Sequence, residues 1–206
     1  PTNVLQDKDK QYLNNRLKTE LSTYVDRYSV SASNWSSASL LTIPYLYISA
    51  MGTRGLRNAT EMALLNSNYL KSLLKDDYKI EDVNENGMVG HEFIIDVSEF
   101  KKIGITENDI AKRLMDYSFH PPTMSWPRSG VLMIEPTESE SKEELDRFVE
   151  AMKGIRREIK EIENNGLENN VIKNAPHCFS MTRDWKYDYS IEKALYPVDN
   201  LLKKKF

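Results

Sequence analysis

The chain has 206 residues, 40% of them hydrophobic, enough apolar material to bury one core with or without an appendage. Its 28 basic residues nearly balance 31 acidic ones, so no large field exists to attract nucleic acid or an anionic membrane, and any site must be local. The single cysteine, Cys178, excludes an internal disulfide and a cysteine-based zinc site and fits a reducing compartment. Leu40 to Met51, the best apolar run, falls short of the roughly 20 residues that span a bilayer and is interrupted by Pro44, so a soluble protein is expected. Pro1 to Lys10 carries neither a secretory nor an Arg-rich transit pattern, and a chain that starts with Pro leaves room for a targeting segment upstream.

Taken in chain order, Leu13, Leu17, Leu21, Tyr24, Val25 and Tyr28 recur at steps of three and four, which predicts an amphipathic N-terminal helix within residues 1–30. Ser31 to Ser39, rich in hydroxyls around Trp35, predicts a loop or hinge. Leu40 to Met51 reads as a buried helix with Pro44 in its first turn, closed by Gly52 and Gly55. A further helix is predicted from near Asn58 to Asp76-Asp77 on the face Met62, Leu65, Tyr69, Leu70, Leu73 and Leu74.

The period then changes. Met88 to Val97 predicts a strand around His91, Phe93 and Ile95, and Val131 to Glu135, after Gly130, predicts a second. Between them Thr106 and Asp109 resemble a capping box that opens a helix through Ile110, Leu114 and Met115. Ser141 with Glu144 caps a longer helix with the face Leu145, Phe148, Val149, Met152, Ile155, Ile159 and Ile162, stopping near Asn164-Asn165-Gly166. Helical first half (40–78) and mixed second half (87–206) together predict an α+β fold, a few-stranded sheet covered by helices. The tail from Asn174 has no clear period and ends in Lys203-Lys204-Lys205-Phe206, a solvated basic terminus.

The densest aperiodic polar cluster is Phe119 to Arg128, where three prolines stiffen a segment carrying His120, Thr123, Ser125, Trp126 and Arg128. Such a loop either presents ligand-binding groups from a rigid scaffold or is a proline-rich corner whose aromatics merely pack. Glu135, Glu138 and Glu140 read either as carboxylates for acid or base work or, more simply, as acidic residues complementing the next helix dipole. His91-Glu92 lacks the second histidine of a metalloprotease helix and sits in a strand pattern, and His120 and His177 share no spacing with it, so no metal site is expected. Gly52 and Gly55 do not follow a strand, which excludes a dinucleotide or P-loop fingerprint and leaves a tight helix junction.

Several segments together carry a resemblance. They are Met51-Gly52 to Gly55-Leu56, Ala59-Thr60-Glu61, Asn66 to Tyr69, His91 to Asp96, Asp109 to Tyr117, Phe119-His120, Pro122 to Pro127, Met133 to Glu140, Leu145 to Phe148, and Lys173 to His177. This pattern, from about Ser31 to Phe206, resembles the C-terminal region of glycine dehydrogenase (decarboxylating), the P-protein of the glycine cleavage system. The chain departs from that family at Ser118, where glycine is usual, at Pro121, where a small residue is usual, and at Asn34-Trp35-Ser36, in place of Pro-aromatic-Gly. Pro1 to Val30 matches little of the family.

The resemblance implies the small C-terminal domain of a fold-type I pyridoxal-phosphate enzyme that decarboxylates glycine and passes the aminomethyl group to the lipoyl group of the carrier H-protein. It implies a partner in the remainder of the enzyme and in a second subunit, and a home in the mitochondrial matrix or a bacterial cytoplasm. The family's Schiff-base lysine stands upstream in a His-Lys-Thr context that this chain does not contain, so pyridoxal phosphate is not expected to be bound covalently here. The substrate-side candidates are His120, Thr123, Ser125 and Arg128 from one loop and Trp35 and Ser37 from the other. Arg113 or Arg128 is a candidate partner for a substrate carboxylate, Arg113 alternatively a helix-surface salt-bridge residue. A non-catalytic structural or interaction module is the alternative reading.

Overall fold

The computed structural model describes residues 38–166 and 168–198, together with Gln11 and Asn15. The predicted helix face from Leu13 to Tyr28, most of the serine-rich loop including Trp35 and Ser37, and the Lys203–Phe206 tail lie outside the described residues. The chain divides into two compact units, Pro1–Met51 and Gly52–Phe206.

In the first unit a 3-10 turn, Ala38–Leu41, leads into helix α1, Thr42–Leu74, with Pro44 in its first turn where a missing N–H costs nothing. The Thr42 hydroxyl donates to the Ser39 carbonyl at 2.7 Å. The expected burial of this segment is corrected. Leu40, Leu41, Ile43, Tyr45, Leu46 and Ile48 are all exposed. An apolar run states that a surface favours cover, not what supplies it.

The predicted helix junction is confined to Gly52. Its φ of 60° lies outside the helical region at no cost to a residue without Cβ, whereas Gly55 is helical and the ladder resumes well before Asn58. Along the part of α1 in the second unit, Leu70 and Leu74 are buried while Met62 and Leu65 are exposed, so only the C-terminal end of the predicted face enters the core.

The second unit holds a four-stranded sheet in the order β1-β2-β4-β3, formed by Lys79–Glu81, Phe93–Asp96, Thr123–Met124 and Val131–Ile134. Every pair is antiparallel, with Ile80 opposite Ile95, Phe93 opposite Ile134, and Thr123 opposite Met133. Strands β1 and β3 are too short to show a period of two and were not predicted. Strand β2 is shorter than expected because a turn comes first. The Asn84 carboxamide oxygen accepts from the backbone of Asn86 and Met88, and Asn68 exchanges two hydrogen bonds with the Val89 backbone. His91 and Glu92 therefore sit in a bend ahead of the strand, not within it.

Three more α-helices, α2, Glu107–Asp116; α3, Lys142–Asn165; and α4, Ile191–Leu195, are joined in the unit by two 3-10 helices, Ser98–Ile103 and Phe179–Asp184. The Thr106–Asp109 capping box forms as predicted, each residue accepting a backbone N–H of the other, and the Ser141 hydroxyl accepts the Glu144 N–H. The predicted face of α3 is inward, with Met152, Ile155 and Ile159 fully covered. Each such side chain contributes roughly 1.5–3 kcal/mol of apolar burial. Gly154 lets α3 approach Tyr117 closely: a Cβ there would stand 3.0 Å from the Tyr117 Cζ and closer still to its hydroxyl. The α+β class expected from the element order is the class observed.

Helix α2 ends in a left-handed residue. Ser118 has φ 61°, its N–H donates to the Met115 carbonyl, and the Phe119 N–H donates to that of Leu114, the two bonds of a Schellman motif. That position favours glycine, the residue usual there in the pattern the sequence resembles. Replacing Ser118 by Gly should relieve about 1–2 kcal/mol of backbone strain against about 0.5–1 kcal/mol of added unfolded-state entropy. The net expectation is a stabilisation of about 0.5–1 kcal/mol, a rise of roughly 1–4 °C in Tm, read by thermal unfolding.

Candidate functional site

The Schellman turn hands the chain from α2 into a cleft of about 500 Å³. Ser118 to Thr123 form one side, Met133 to Pro136 another, and Leu70, Leu145 and Phe148 supply apolar floor. Phe119 is held edge-on against Phe148 at 5.3 Å between centroids and under the Arg147 guanidinium at 3.6 Å. Arg147 also donates to the Tyr117 carbonyl at 2.8 Å and pairs with Glu144, so a cation closes the C-terminal end of α2 where the dipole favours one. The aromatic wall is thus clamped, and His120 projects beside it with an exposed side chain.

The predicted loop does not act as one unit. His120 and Thr123 line the cleft; Ser125, Trp126 and Arg128 do not. Pairing of Thr123–Met124 with β4 fixes the first half, after which Ser125, at φ 59°, turns the chain away and a cis Trp126-Pro127 bond follows. The Ser125 hydroxyl donates to Glu107 Oε1 at 2.9 Å, as does the Gly130 N–H at 2.8 Å. Arg128 pairs with Glu81 at 2.8 Å and Asp96 at 3.1 Å on the β1–β2 side of the sheet. In this geometry two carboxylates of the fold hold it, away from the cleft.

Arg113 is a salt-bridge residue, but of the interior and not of the helix surface. It is neither on the helix surface nor open to a ligand, but fully buried. Its Nε and one Nη2 hydrogen take both oxygens of Glu158 at 2.9 and 2.6 Å, Nη1 reaches Asp116 at 2.9 Å, and the carbonyls of Ala194 and Lys193 accept the last two N–H groups. All five donors are spent inside the domain. Burial alone would lower the guanidinium's pKa, but the Glu158 hydrogen bonds and charge outweigh it and raise the pKa above the ordinary value.

Sequence spacing missed the continuation of this network. His177 is buried, its Nδ1 2.7 Å from Asp116 Oδ2 and its Nε2 2.8 Å from the Tyr189 hydroxyl, while its backbone N–H donates to Asp116 Oδ1. Trp185, Tyr187 and Tyr189 surround the ring with centroids 5.7 to 6.0 Å away. Burial pushes the Tyr189 phenol up to about 12, so it stays a neutral partner at physiological pH. The signal available was the cluster of aromatics in an aperiodic tail that also carries a histidine.

What the cleft can hold follows from its lining. Glu135, Glu140 and Glu144 contribute carboxylates, and no lysine or arginine is among the lining residues. Pyridoxal phosphate needs an amine for its aldehyde and cationic or N–H groups for its phosphate. The residues of this cleft do not fit that group on their own. They suit instead a wall that excludes water on its apolar side and offers an imidazole and a hydroxyl on the other. Among the described residues, no helix is long and apolar enough to cross a membrane.

The geometry defines an α+β domain presenting a clamped aromatic cleft. Comparison with known sequences gives the particular family: residues 59–177, more than half of the chain, match the family described as Glycine dehydrogenase, C-terminal domain, and the chain belongs to it. The chain is 52% identical over 180 residues to a glycine dehydrogenase (decarboxylating) of Christiangramia forsetii, covering 86% of this chain and 19% of that protein. It is 50% identical over 183 residues to a mitochondrial glycine dehydrogenase (decarboxylating) of Dictyostelium discoideum and 52% over 183 residues to glycine dehydrogenase (decarboxylating) 1, mitochondrial, of Arabidopsis thaliana, each alignment covering 86% of this chain and 18% of the relative. The chain therefore spans about a fifth of the length of these relatives.

Proposed function

We propose that the chain is the small C-terminal domain of a glycine dehydrogenase (decarboxylating), whose parent polypeptide uses pyridoxal phosphate to decarboxylate glycine and passes the aminomethyl group to the lipoyl group of an H-protein. Membership of the family supports this reading. On this reading the cofactor is held by the remainder of the polypeptide, and the His120 cleft is a substrate-side wall of a site completed by that remainder or by a second subunit. Residues 31–206 form this domain on that reading. The parent works in the mitochondrial matrix or a bacterial cytoplasm. By itself the chain is a non-catalytic module.

The observation that carries the site is the placement of His120 and Thr123 on one clamped cleft, with Ser125, Arg128 and Arg113 held elsewhere. An imidazole there can accept or donate a hydrogen bond, or carry a proton, at the edge of an apolar wall. Trp35 and Ser37 remain candidates from the serine-rich loop. In the full-length enzyme, His120→Ala should lower the glycine decarboxylation rate by about a hundredfold, with the cofactor's absorbance unchanged, whereas Arg128→Ala should leave kcat within a few-fold. Normal decarboxylation by the His120 variant would remove the cleft from the site.

A further inference from the structure

A second cluster of chemistry-bearing side chains lies at the end of the β2–β4 pair. His91 and Glu92 come from the bend before β2, and Glu135 follows β4 directly. Extending the register of Phe93 with Ile134 by one residue sets Glu92 opposite Glu135. Like charges so placed destabilise a sheet unless something compensates them. Among the described residues, no lysine or arginine pairs with either carboxylate; His91 Nε2 stands 3.7 Å from Glu92 Oε2.

One donor atom from each of the three residues lies within 4.8 Å of the other two. Around a tetrahedral Zn²⁺ with bonds of about 2.1 Å, donor atoms stand about 3.4 Å apart. The His91–Glu92 separation is nearly there, and the Glu135 carboxylate closes the set with a small rotation of an exposed side chain. The frame beneath is rigid. Phe93, Ile94 and Ile134 are buried, and the two hydrogen bonds between Asn68 and Val89 fix the chain two residues before His91. A preorganised frame lowers the ordering cost of binding.

We propose that His91, Glu92 and Glu135 form a binding site for a divalent first-row transition ion, with Zn²⁺ as its occupant. One imidazole and two carboxylates suit zinc better than magnesium or calcium, which favour all-oxygen sets. Three protein ligands leave a fourth position open to water. The ion neutralises two facing carboxylates that no described lysine or arginine pairs with. Separation along the chain concealed the set, since the third ligand arrives 43 residues after Glu92 through strand pairing. The site is independent of the role assigned to the His120 cleft, although Glu135 also borders that cleft.

The test is titration of the whole chain with Co²⁺, followed by its visible d–d absorption, and with Zn²⁺ by calorimetry. One ion per chain is expected, with affinity at least about tenfold weaker in His91→Ala and in Glu135→Gln. Binding in His120→Ala and Cys178→Ser should be unchanged, which separates this set from the other exposed donors. Unchanged circular dichroism in the two ligand variants excludes loss through unfolding, since His91 and Glu135 are exposed. Absence of stoichiometric uptake, or uptake that survives either ligand substitution, overturns the proposal.

Discussion

Replacing Arg113 by methionine should destabilise the domain by about 3–5 kcal/mol, the largest single-residue effect expected here. The substitution keeps most of the volume and removes the charge. It strands Glu158 and Asp116, both nearly inaccessible, together with the carbonyls of Lys193 and Ala194. A loss of that size is a large part of the roughly 5–15 kcal/mol available to a folded domain. Urea unfolding should show a midpoint shifted far down, or no folded baseline at all. Removing the stranded charges as well, with Glu158→Gln and Asp116→Asn beside Arg113→Met, should recover part of the loss, because the cost arises from uncompensated burial more than from the missing attraction. Stability within about 1 kcal/mol of the parent chain for Arg113→Met would contradict the network's structural role.

Acid should act in part through Glu107. Burial by itself would raise this carboxyl's pKa, but backbone N–H groups of Glu107 and Gly130, the Ser125 hydroxyl and the Lys101 ammonium outweigh burial and hold it at about 2. Glu107 Oε1 accepts from Ser125, Ser129 and Gly130, and Oε2 faces Lys101 Nζ at 3.3 Å. Since the folded value lies below the ordinary one of 4.5, the unfolded chain binds the proton more readily. The stabilisation is therefore complete above about pH 4.5 and is lost as the pH falls through about 2, amounting to roughly 3 kcal/mol.

Asp96 adds to the same trend, because Lys79, Ser98 and Arg128 hold its carboxyl below the usual range although burial opposes them. Unfolding free energy measured from pH 6 to pH 3 should fall steeply in the parent chain and less so in Glu107→Gln. The variant should also be the less stable of the two at pH 6, since an amide cannot reproduce a carboxylate accepting three bonds. Parallel pH profiles for the two would remove Glu107 as the origin of the slope.

The legible parts of the fold were those in which a local signal repeats or a cap stands beside a period. Helices α2 and α3 announced themselves through Thr106 with Asp109, Ser141 with Glu144, and apolar faces at steps of three and four. Strands β1 and β3, of three and two residues, were too short to carry alternation. Their existence depends on β2 and β4 as templates, which no local pattern encodes. The exposure of Leu40 to Ile48 was hidden for a similar reason, as apolarity does not say where cover comes from.

Of the candidate site, the segment Phe119 to Thr123 was readable from its prolines and aromatics, but its separation from Ser125 and Arg128 was not. That separation arises where β3 ends and Ser125 adopts positive φ. Arg113 could have been found by its position. It lies three residues after Ile110 and next to Leu114, on the inward face of α2, where an arginine must bring its own counter-charge. That counter-charge, Glu158, sits three residues after Ile155 on the facing helix, so the same periodicity held both halves of the pair.

Gly154 gives this arrangement its alignment. A glycine in mid-helix weakens α3 by about 1 kcal/mol relative to alanine, yet it makes a notch that admits the Tyr117 ring. Sliding α3 by one residue would bring Lys153 or Ile155 against that ring, so the notch acts as a key that admits a single axial register. In that register the Tyr117 hydroxyl stands 3.3 Å from Glu158 Oε1, and Arg113 meets both oxygens of the same carboxylate. Tyr117 is also the last residue before the turn into the cleft, so the notch on one helix indexes the starting point of the loop on the other. The position of His120 is thereby referenced to the interior of α3 as well as to the surface from which it projects.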